Sequence, residues 1–482
     1  MKKEQDTNIL KALKRRSFQK SLPFHMPGHK RNKSLAPYLK DLPVEYDITE
    51  IPGFDNLNDP KEIILSTMEK ANKLWKSKET LLSVNGSTSC ILAGMHACLN
   101  KEDKIILGRN CHKSVYNGIR LLDLKPVYFT PTFSKDTQIL GSICVKDLED
   151  LIEQNKDAKM ILLTSPTYDG VLSHIKSIQA LADKHKMILM VDQAHGAHLD
   201  LSPNFPLGAN SFKADIVVQS LHKTLPSMTQ TSLIHINSNK VSLKRLKEYM
   251  ATFQSSSPSY ILISSIASCI DYLYHNKDLL FNKWIKNLDY IKDQLQDLSH
   301  LQAIFHEDKQ DYDHIFAYDQ AKLLINLNKI DISGKELFDL LIEKYNIYPE
   351  MYTNEYVLLI LSLADKKKSL KKLTKALLEI DKTNGPSKKE SFHPLEDFTI
   401  PKQVLSINEA KKKESKYVTM DKSIDQICAQ SLWAFPPQIP LILPGEKISQ
   451  DFINYLNHLE NSQVTISSED DYKKGYILVC DL

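Results

Sequence analysis

The chain has 482 residues, which is too many for a single hydrophobic core, so two or three domains are expected. It carries 62 Lys and Arg side chains against 59 Asp and Glu, a formal net charge of +3, and this near balance gives no electrostatic reason to expect a nucleic acid or an anionic membrane as a partner. The longest apolar run, residues 356–363, is far shorter than the roughly 20 residues of a membrane-spanning helix.

The seven cysteines are scattered along the chain, and no two of them are spaced as a Cys-X-X-Cys pair. This pattern argues against a zinc site or a disulfide framework and is typical of a protein in a reducing cytosol. The N-terminal residues are basic, but they lack the apolar stretch of a signal peptide. We therefore predict an intracellular, cytoplasmic protein without a metal site.

The first 60 residues contain proline and glycine but show no amphipathic period with which to pack as a helix, so we predict an arm that lies over a neighbour. From about residue 60 to 240, short apolar runs alternate with helical stretches. The predicted strands are 80–84, 104–107, 159–164, 186–191, 215–219 and 232–236. Their apolar residues are continuous rather than alternating, which predicts a sheet covered on both sides, hence an α/β fold with a mainly parallel sheet.

Residues 260–300 have the pattern of long helices, and strand-like runs at 322–327 and 356–363 with a helix at 369–380 predict a small α/β subdomain. The stretch 381–415 is charged and rich in proline and serine, which is typical of a linker. The predicted boundaries are an N-terminal arm 1–60, a large domain 61–280, a small subdomain 281–380, a linker 381–415 and a C-terminal domain 416–482.

The first candidate site begins at the turn pair Asn85-Gly86, between a predicted strand and a helical stretch. Backbone N–H groups at a helix N-terminus, together with the hydroxyls of Ser87 and Thr88, can bind an anion such as a phosphate. An ordinary helix cap has the same pattern, so this motif alone leaves both interpretations open.

Asp192 follows five apolar residues at a predicted strand end. Such a carboxylate can cap a helix, bind a metal or pair with a buried cation. His195 and His198 come soon after, but a glycine separates them in a predicted loop and no second acidic residue accompanies them, which makes a catalytic metal the weaker interpretation.

Lys223 comes just after another buried strand, with Ser220 and His222 before it. A lysine at a strand end is costly to bury unless it is paired, neutral or used covalently, and a desolvated amine is the nucleophile that condenses with aldehydes. A lysine whose stem lies along apolar surface is the alternative.

A phosphate cradle at residue 86, an acid at residue 192 and a strand-end lysine at residue 223 are together what pyridoxal phosphate requires. The lysine forms a Schiff base, and the acid keeps the pyridine nitrogen protonated so that the ring accepts electrons. Ser220 and His222 can hold another phosphate oxygen. This order along one parallel sheet is that of the fold-type I, aspartate-aminotransferase-like architecture.

Seven motifs occur in the order found in the ornithine/lysine/arginine decarboxylase family, which this chain resembles from residue 24 to at least residue 446. They are FHMPGHK (24–30), VNGSTS (84–89), RNCHKS (109–114), TSPTYDG (164–170), VDQAHGAH (191–198), QSLHKTLPSMTQTS (219–232) and FPPQIPLILPGE (435–446). The resemblance is to the short members without an N-terminal wing domain. It implies a pyridoxal-phosphate-binding large domain, a small α/β subdomain, a C-terminal α+β decarboxylase domain and at least a homodimer.

The resemblance also implies roles for individual residues. Lys223 matches the Schiff-base lysine, Asp192 the acid at the pyridine nitrogen, and His112 the histidine that stacks on the cofactor ring and can donate a proton there. The remaining matched positions surround the phosphate or the ring edge and are Gly86, Ser87, Thr88, Thr167, His195, Ser220 and His222.

Three positions depart from the family pattern. Gln193 stands where members usually have glutamate, Cys90 where they commonly have glycine, and Gln438 where the C-terminal motif usually has glycine. None is the lysine, the acid or the stacking histidine. The change at Gln438 affects a turn that depends on glycine, and therefore substrate positioning rather than cofactor binding.

The resemblance implies α-decarboxylation of a basic amino acid, feeding polyamine metabolism. Transamination on the same fold, or a catalytically quiet protein that binds pyridoxal phosphate, are the alternatives. The sequence does not choose among arginine, lysine and ornithine, nor among His112, His222 and Lys223 as the group that protonates the α-carbon. Asp169 is a candidate partner for the distal cation of the substrate, with a solvated loop aspartate as the alternative interpretation.

Overall fold

The structure, a computed structural model, describes residues 8–18, 21–135, 137, 139–305, 314–386, 399–435, 439–461 and 465–481. Its α-helices are α1 Ile9–Phe18, α2 Ile63–Trp75, α3 Gly86–Cys98, α4 Lys113–Leu122, α5 Val145–Gln154, α6 Ile175–Lys184, α7 Leu221–Thr224, α8 Leu243–Phe253, α9 Tyr260–Leu295, α10 Gly334–Glu343, α11 Lys367–Thr383, α12 Ile407–Lys411 and α13 Gln450–Asn461. Short 3-10 helices lie at Pro37–Lys40 and Asp421–Ser423.

The strands are short and distributed along the whole chain. They are β1 Glu79–Ser83, β2 Lys104–Gly108, β3 Lys125–Phe129, β4 Phe133–Ser134, β5 Ile139–Leu140, β6 Met160–Thr164, β7 Val171–Leu172, β8 Ile188–Asp192, β9 Ile216–Ser220, β10 Ser232–Ile236, β11 Gln302–Ile304, β12 Ala317–Tyr318, β13 Lys322–Asn326, β14 Met351–Tyr352, β15 Tyr356–Ile360, β16 Ser415–Thr419, β17 Leu432–Phe435, β18 Ile439–Ile442, β19 Thr465–Ser468 and β20 Tyr476–Cys480.

The chain divides into two compact units. The first comprises Met1–Leu99 and Ile175–Trp284, and the second comprises Asn100–His174 and Ile285–Leu482. The predicted domain boundaries stay predictions, although the one at residue 280 falls inside helix α9. Among the helices of the described residues, none is both long and apolar enough to cross a membrane.

In the first unit the strands lie in the order β1–β10–β9–β8. Strands β8 and β9 are parallel, with Met190 opposite Ile216, whereas β10 is antiparallel to both β1 and β9. The turn between β9 and β10 is only residues 221–231, too short for the crossover that a parallel return requires. Because β10 runs against both neighbours, β1, β9 and β8 share one direction, and their carboxyl ends lie at the same edge.

Helix α1 contradicts the prediction that the first 60 residues have no period for helix packing. Ile9, Ala12 and Leu13 are buried, and their spacing places them on one helical face. The side chain of Asn8 donates to the Asp271 carboxylate at 3.1 Å, which attaches the start of the helix to α9. The prediction was wrong because three apolar residues at helical spacing are sufficient to form a buried face, even among many charged residues.

In the second unit, β2 lies between β6 and β3, and both pairs are parallel. Four further strands form an antiparallel sheet in the order β11–β13–β15–β14. Near the C-terminus, β16 pairs with β20, and β17 lies between β18 and β19. Buried residues of these strands and of α13, among them Leu432, Leu441 and Leu456, form a separate core.

The predicted strands between residues 80 and 236 are confirmed to within two residues at each end. The runs at 322–327 and 356–363 contain β13 and β15, and the helix predicted at 369–380 lies within α11. The α/β fold with a mainly parallel sheet is confirmed. Its antiparallel strand β10 is buried along its whole length, as β9 is, so its burial does not distinguish it from the strands that run in the other direction.

Candidate active site

The candidate site of the first unit lies at the edge where β1, β8 and β9 end. Asp192 is the last residue of β8 and Ser220 the last of β9, and α3 begins three residues after β1. Since these strands run in one direction, their carboxyl ends deliver the three predicted segments to the same edge, where open α/β sheets bind ligands.

Lys223 lies on the one-turn helix α7, directly after β9. Its Nζ is 2.8 Å from Nε2 of His195. Lys223 is half-buried and His195 is buried. An ammonium group can only donate, so a charged Lys223 donates to the Nε2 lone pair of His195. The lysine therefore has an acceptor for its proton at hydrogen-bond distance.

Asp192 is only 3% exposed, and its Oδ1 accepts a hydrogen bond from the backbone N–H of Ala194 at 3.1 Å. One oxygen therefore holds the turn after β8, and because the next element is β9 rather than a helix, Asp192 does not cap a helix. In the neighbouring strand, Val218 lies opposite Asp192, two residues before Ser220. A buried carboxylate at this edge is positioned to accept from a cationic N–H of a ligand.

Helix α3 begins with Gly86, whose φ of +71° lies in the left-handed region that favours glycine. The N-cap residue Asn85 makes no side-chain cap bond, which argues against an ordinary side-chain cap. Instead, the Oγ atoms of Ser87 and Ser220 lie 2.7 Å apart, joining the helix start to the end of β9. Thr88 is exposed on the same first turn.

His222 points its Nδ1 at the carbonyl oxygen of Thr231, 3.0 Å away, so Nδ1 carries a proton. Burial lowers the pKa of His222, the hydrogen bond to Thr231 opposes this shift, and the charge of Lys223 adds to it. A neutral ring then has its lone pair at Nε2. This nitrogen can donate to a phosphate oxygen only when the ring is protonated.

Two predicted site residues belong to the second unit. His112 is exposed and caps α4, with its Nδ1 accepting from the Ser114 N–H at 3.2 Å. Because Nδ1 accepts there, the neutral ring carries its proton on Nε2. Thr167 is buried, and its Oγ1 accepts from the N–H of Val171 at 3.0 Å, so it holds the turn before β7.

Asp169 is not a solvated loop aspartate. It is 3% exposed, and its Oδ1 accepts from the Tyr356 hydroxyl at 2.6 Å. Burial raises the pKa of Asp169, while the Tyr356 hydrogen bond and the charge of Lys322 oppose the shift. With these partners inside the protein, the carboxylate is a structural group of the second unit, and we do not assign it to the distal cation of a substrate.

One of the three departures from the family pattern, Gln193, has a structural explanation. Gln193 is 1% exposed; its Oε1 accepts from the Ala209 N–H at 2.7 Å and its Nε2 donates to the Gly196 carbonyl at 3.0 Å. Both bonds hold the loop that carries His195, and an ionised glutamate could form only the first. Cys90 is buried in α3, and burial raises the pKa of its thiol to about 11. Gln438 lies outside the described residues.

The turn between β9 and β10 and a residue of α9 hold the site in place, and the sequence did not predict these contacts. The N–H of Gly86 donates to the Gln230 carbonyl at 2.9 Å, and the Leu221 N–H donates to the Thr231 carbonyl at 3.0 Å, so the turn between β9 and β10 holds both α3 and α7. The Ser265 Oγ on α9 accepts from the Met228 N–H at 2.9 Å and anchors the same turn. These bonds use backbone atoms, which have no sequence signal.

The groups of the first unit fit pyridoxal phosphate. The N-terminus of α3, which has no side-chain cap, can bind its phosphate together with the Ser87 and Ser220 hydroxyls, whose oxygens lie 2.7 Å apart. Its pyridine nitrogen suits a buried carboxylate, and its aldehyde suits an amine that has a proton acceptor. In the described part of the chain, no group of three or more His, Cys, Asp and Glu side chains is arranged to hold a metal ion.

Comparisons with known proteins agree with this chemistry. The chain matches the family model "Orn/Lys/Arg decarboxylase, major domain" over residues 7–369 and the model of the C-terminal domain of that family over residues 389–466. An uncharacterised protein of Bacillus subtilis, YaaO, is 31% identical over 98% of each chain. The arginine decarboxylase of Bacillus anthracis is 26% identical over 97% of this chain and 95% of its own length.

Solved structures are similar in fold. The lysine decarboxylase LdcF of Francisella novicida aligns with a TM-score of 0.82 at 20% identity, covering 99% of this chain and 82% of its own. A serine palmitoyltransferase of Sphingomonas wittichii aligns with a TM-score of 0.52 at 16% identity, covering 66% of this chain and 76% of its own. The predicted fold-type I architecture is thereby confirmed.

Proposed function

The chain belongs to the Orn/Lys/Arg decarboxylase family, whose enzymes use pyridoxal phosphate, and we propose that it removes the α-carboxylate of arginine as CO2. The observation that carries the proposal is the pair formed by Lys223 and His195, on the strand edge that also holds Asp192. Arginine is chosen over lysine and ornithine because four curated relatives that match over nine-tenths or more of both chains are named arginine decarboxylase. A lysine decarboxylase of Escherichia coli matches 93% of this chain but only 75% of its own length.

Pyridoxal phosphate, when bound, supplies a ring that accepts the electron pair released as CO2 leaves. We assign its phosphate to the first turn of α3 with Ser87 and Ser220, whose hydroxyls can each donate to a phosphate oxygen. Thr88 and a protonated His222 are the further donors in this assignment. Phosphate binding favours the protonated form of His222, which opposes the effect of burial on its pKa.

Lys223 holds the cofactor through Nζ and must lose its proton to act as a nucleophile. The Nε2 of His195, 2.8 Å away, can accept that proton and return it when the substrate amine takes the place of the lysine. Asp192 keeps a proton on the pyridine nitrogen, and its burial strengthens this charge-assisted hydrogen bond.

The α-carbon must gain a proton after CO2 has left. We assign this proton to Nε2 of His112, because the bond between Ser114 N–H and Nδ1 keeps the proton of the neutral ring on Nε2. His222 and Lys223 stay alternatives for this step. The role of Thr167 at the ring edge is part of the same proposal and is supported by the resemblance.

The proposed assembly is a homodimer or higher homo-oligomer in the cytoplasm, and the proposed product feeds polyamine metabolism. Support for the assembly comes from residues 21–42, where large apolar side chains are exposed. They are Leu22 at 78%, Phe24 at 90%, Met26 at 64%, Leu35 at 68%, Tyr38 at 65% and Leu42 at 48%. Contiguous exposed apolar side chains are typical of a protein interface, and a second copy of this chain is the proposed occupant.

The test is release of labelled CO2 from carboxyl-labelled arginine, lysine and ornithine with pyridoxal phosphate added and no keto acid. We expect the fastest release from arginine. Faster release from lysine or ornithine would overturn the substrate assignment but keep the reaction. Amino transfer that requires a keto acid, without release of CO2, would overturn the reaction itself.

A further inference from the structure

The motifs RNCHKS and LPGE, more than 300 positions apart in the chain, meet in a buried ion pair within the second unit. Nη1 of Arg109 donates to Oε1 of Glu446 at 2.6 Å, and Nη2 donates to Oε2 at 2.8 Å. Each side chain is 1% exposed. Such a pair is shielded from solvent, so its effect on a reaction must pass through the residues that it holds.

The arginine side of the pair holds the turn that leads to His112. Arg109 directly follows β2, and its own N–H donates to the Phe129 carbonyl at 2.8 Å. Its carbonyl accepts from the hydroxyl of Tyr116, on the first turns of α4, at 2.6 Å. Arg109 therefore continues β2, the strand before His112, and is hydrogen-bonded to β3 and to the helix that His112 caps.

The glutamate side holds the segment 440–446. Oε2 of Glu446 also accepts from the Leu443 N–H at 2.8 Å, and Nε of Arg109 donates to the Pro440 carbonyl at 3.2 Å. Gly445 has a φ of +90°, and a Cβ at this position would lie 2.1 Å from the Leu405 carbonyl oxygen, so only glycine fits. The segment is thus folded closely around the guanidinium group.

The main effect of the pair is to fix the orientation of the segments it joins, rather than to add much to the free energy of unfolding. A buried ion pair often contributes little compared with apolar residues of similar size, whereas its planar, two-bond geometry fixes orientation. The guanidinium also lies 4.8 Å from the ring centre of Tyr128, which limits its rotation about the carboxylate. Together these contacts hold the Arg109 guanidinium and the Glu446 carboxylate in a single arrangement.

We propose that Arg109 and Glu446 are positioning residues, which fix the turn from β2 to α4 and thereby the place of the His112 imidazole. This inference rests on the proposed function, in which His112 delivers a proton. It predicts that loss of the two-bond geometry impairs the step that needs His112 while leaving cofactor attachment at Lys223 intact.

The first variants are Glu446→Gln, which keeps the shape but removes the charge, and Arg109→Lys, which keeps a charge but cannot form both bonds. We expect kcat to fall by about 10- to 100-fold with KM changed by less than about threefold, in line with the sensitivity of catalysis to small displacements. The matched control is Asp381→Asn, since Asp381 is a buried carboxylate of the same unit that accepts from the N–H groups of Ser299 and Leu301.

The decisive comparison is a double-mutant cycle of Glu446→Gln with His112→Asn. If Glu446 acts through His112, the double variant is little slower than His112→Asn alone. The proposal would be overturned if the fold-loss in kcat of the double variant equalled the product of the two single losses. It would also be overturned by a normal kcat in a folded Glu446→Gln protein. If both single variants fail to fold, the paired change Arg109→Met with Glu446→Leu leaves no isolated buried charge, and a normal kcat there would equally overturn it.

A second measurement does not depend on the reaction. In the protein without cofactor, hydrogen exchange of the Ser114 and Val115 amides, which are bonded to the His112 side chain and carbonyl, should accelerate in Glu446→Gln but not in Asp381→Asn. Unchanged exchange would overturn the positioning role. If wild-type protein released no CO2, the proposed function would fail while this readout still decided the role of the pair.

Discussion

Nζ of Lys223, on the helix that follows β9, lies 2.8 Å from Nε2 of His195, in the loop that follows the adjacent parallel strand β8. His195 is therefore placed to accept a proton from the lysine. We predict that His195→Leu, which removes the acceptor, slows attachment of pyridoxal phosphate to the lysine by about 100-fold, the lower end of the range for loss of a positioned base. Attachment is followed by the rise of the yellow absorption band after the cofactor is mixed with the protein. An unchanged rate in a folded His195→Leu protein would show that the contact is only packing.

Asp192→Asn should keep the fold and the bound cofactor but lose turnover by about 100-fold or more, the range found when one preorganised electrostatic group is removed. An amide does not keep the pyridine nitrogen protonated, so the ring loses its capacity to accept electrons. The matched control is Asp215→Asn, because Asp215 is a buried carboxylate at the opposite end of the same sheet, bonded to Lys240 at 3.0 Å. Near-normal turnover of Asp192→Asn at saturating cofactor would show that Asp192 only holds the turn after β8.

His235 makes stability depend on pH. Burial lowers the pKa of His235 to about 3, whereas an unfolded histidine titrates near 6.5. Below pH 6.5 the unfolded chain binds a proton that the folded chain does not, so stability is complete above this pH and is lost as pH falls towards 3. From pH 7 to pH 5, His235 alone should cost about 2 kcal/mol of the free energy of unfolding.

The check compares denaturant unfolding of wild type and His235→Gln at both pH values. The glutamine variant is expected to be less stable at pH 7, because the hydrogen bonds of the ring to Thr80 and Gln219 are altered. Its loss of stability between pH 7 and pH 5 should nevertheless be smaller than that of wild type. Equal losses in the two proteins would contradict the assignment of a neutral buried ring.

The exposed apolar side chains of the arm should mediate assembly. We expect Leu22→Ser with Phe24→Ser to shift the mass in solution towards monomer and to lower activity more than the thermal unfolding midpoint. The matched control is Tyr348→Ser, since Tyr348 is 74% exposed outside the arm. A fully dimeric and active variant would contradict the role of the arm. Deleting residues 1–30 is a less specific test, because it also removes the packed Ile9 and Leu13 of α1.

The sequence was sufficient for the central strands because their apolar runs are continuous and end in polar residues, as at Asp192 and Ser220. It was insufficient where partners are distant or use backbone atoms. Nothing in the sequence around Asp169 indicates that the Tyr356 hydroxyl lies 2.6 Å from its carboxylate. Arg109 and Glu446 both lie within family motifs, but the motifs do not indicate that the two side chains pair. The antiparallel direction of β10 likewise follows from the short connection between β9 and β10, not from the residue pattern of the strand.

The central claim is that Lys223 carries the cofactor, and the most direct test is to reduce the protein with borohydride in the presence of pyridoxal phosphate and to locate the modified lysine by peptide mass spectrometry. We predict that the pyridoxyl-phosphate mass appears on the peptide that contains Lys223, and that Lys223→Ala loses both this mass and the yellow band. The chain holds 56 lysines, and the peptide map distinguishes attachment at Lys223 from attachment at any of the others. Stoichiometric modification of a different lysine, or a trapped cofactor retained in Lys223→Ala, would contradict the account.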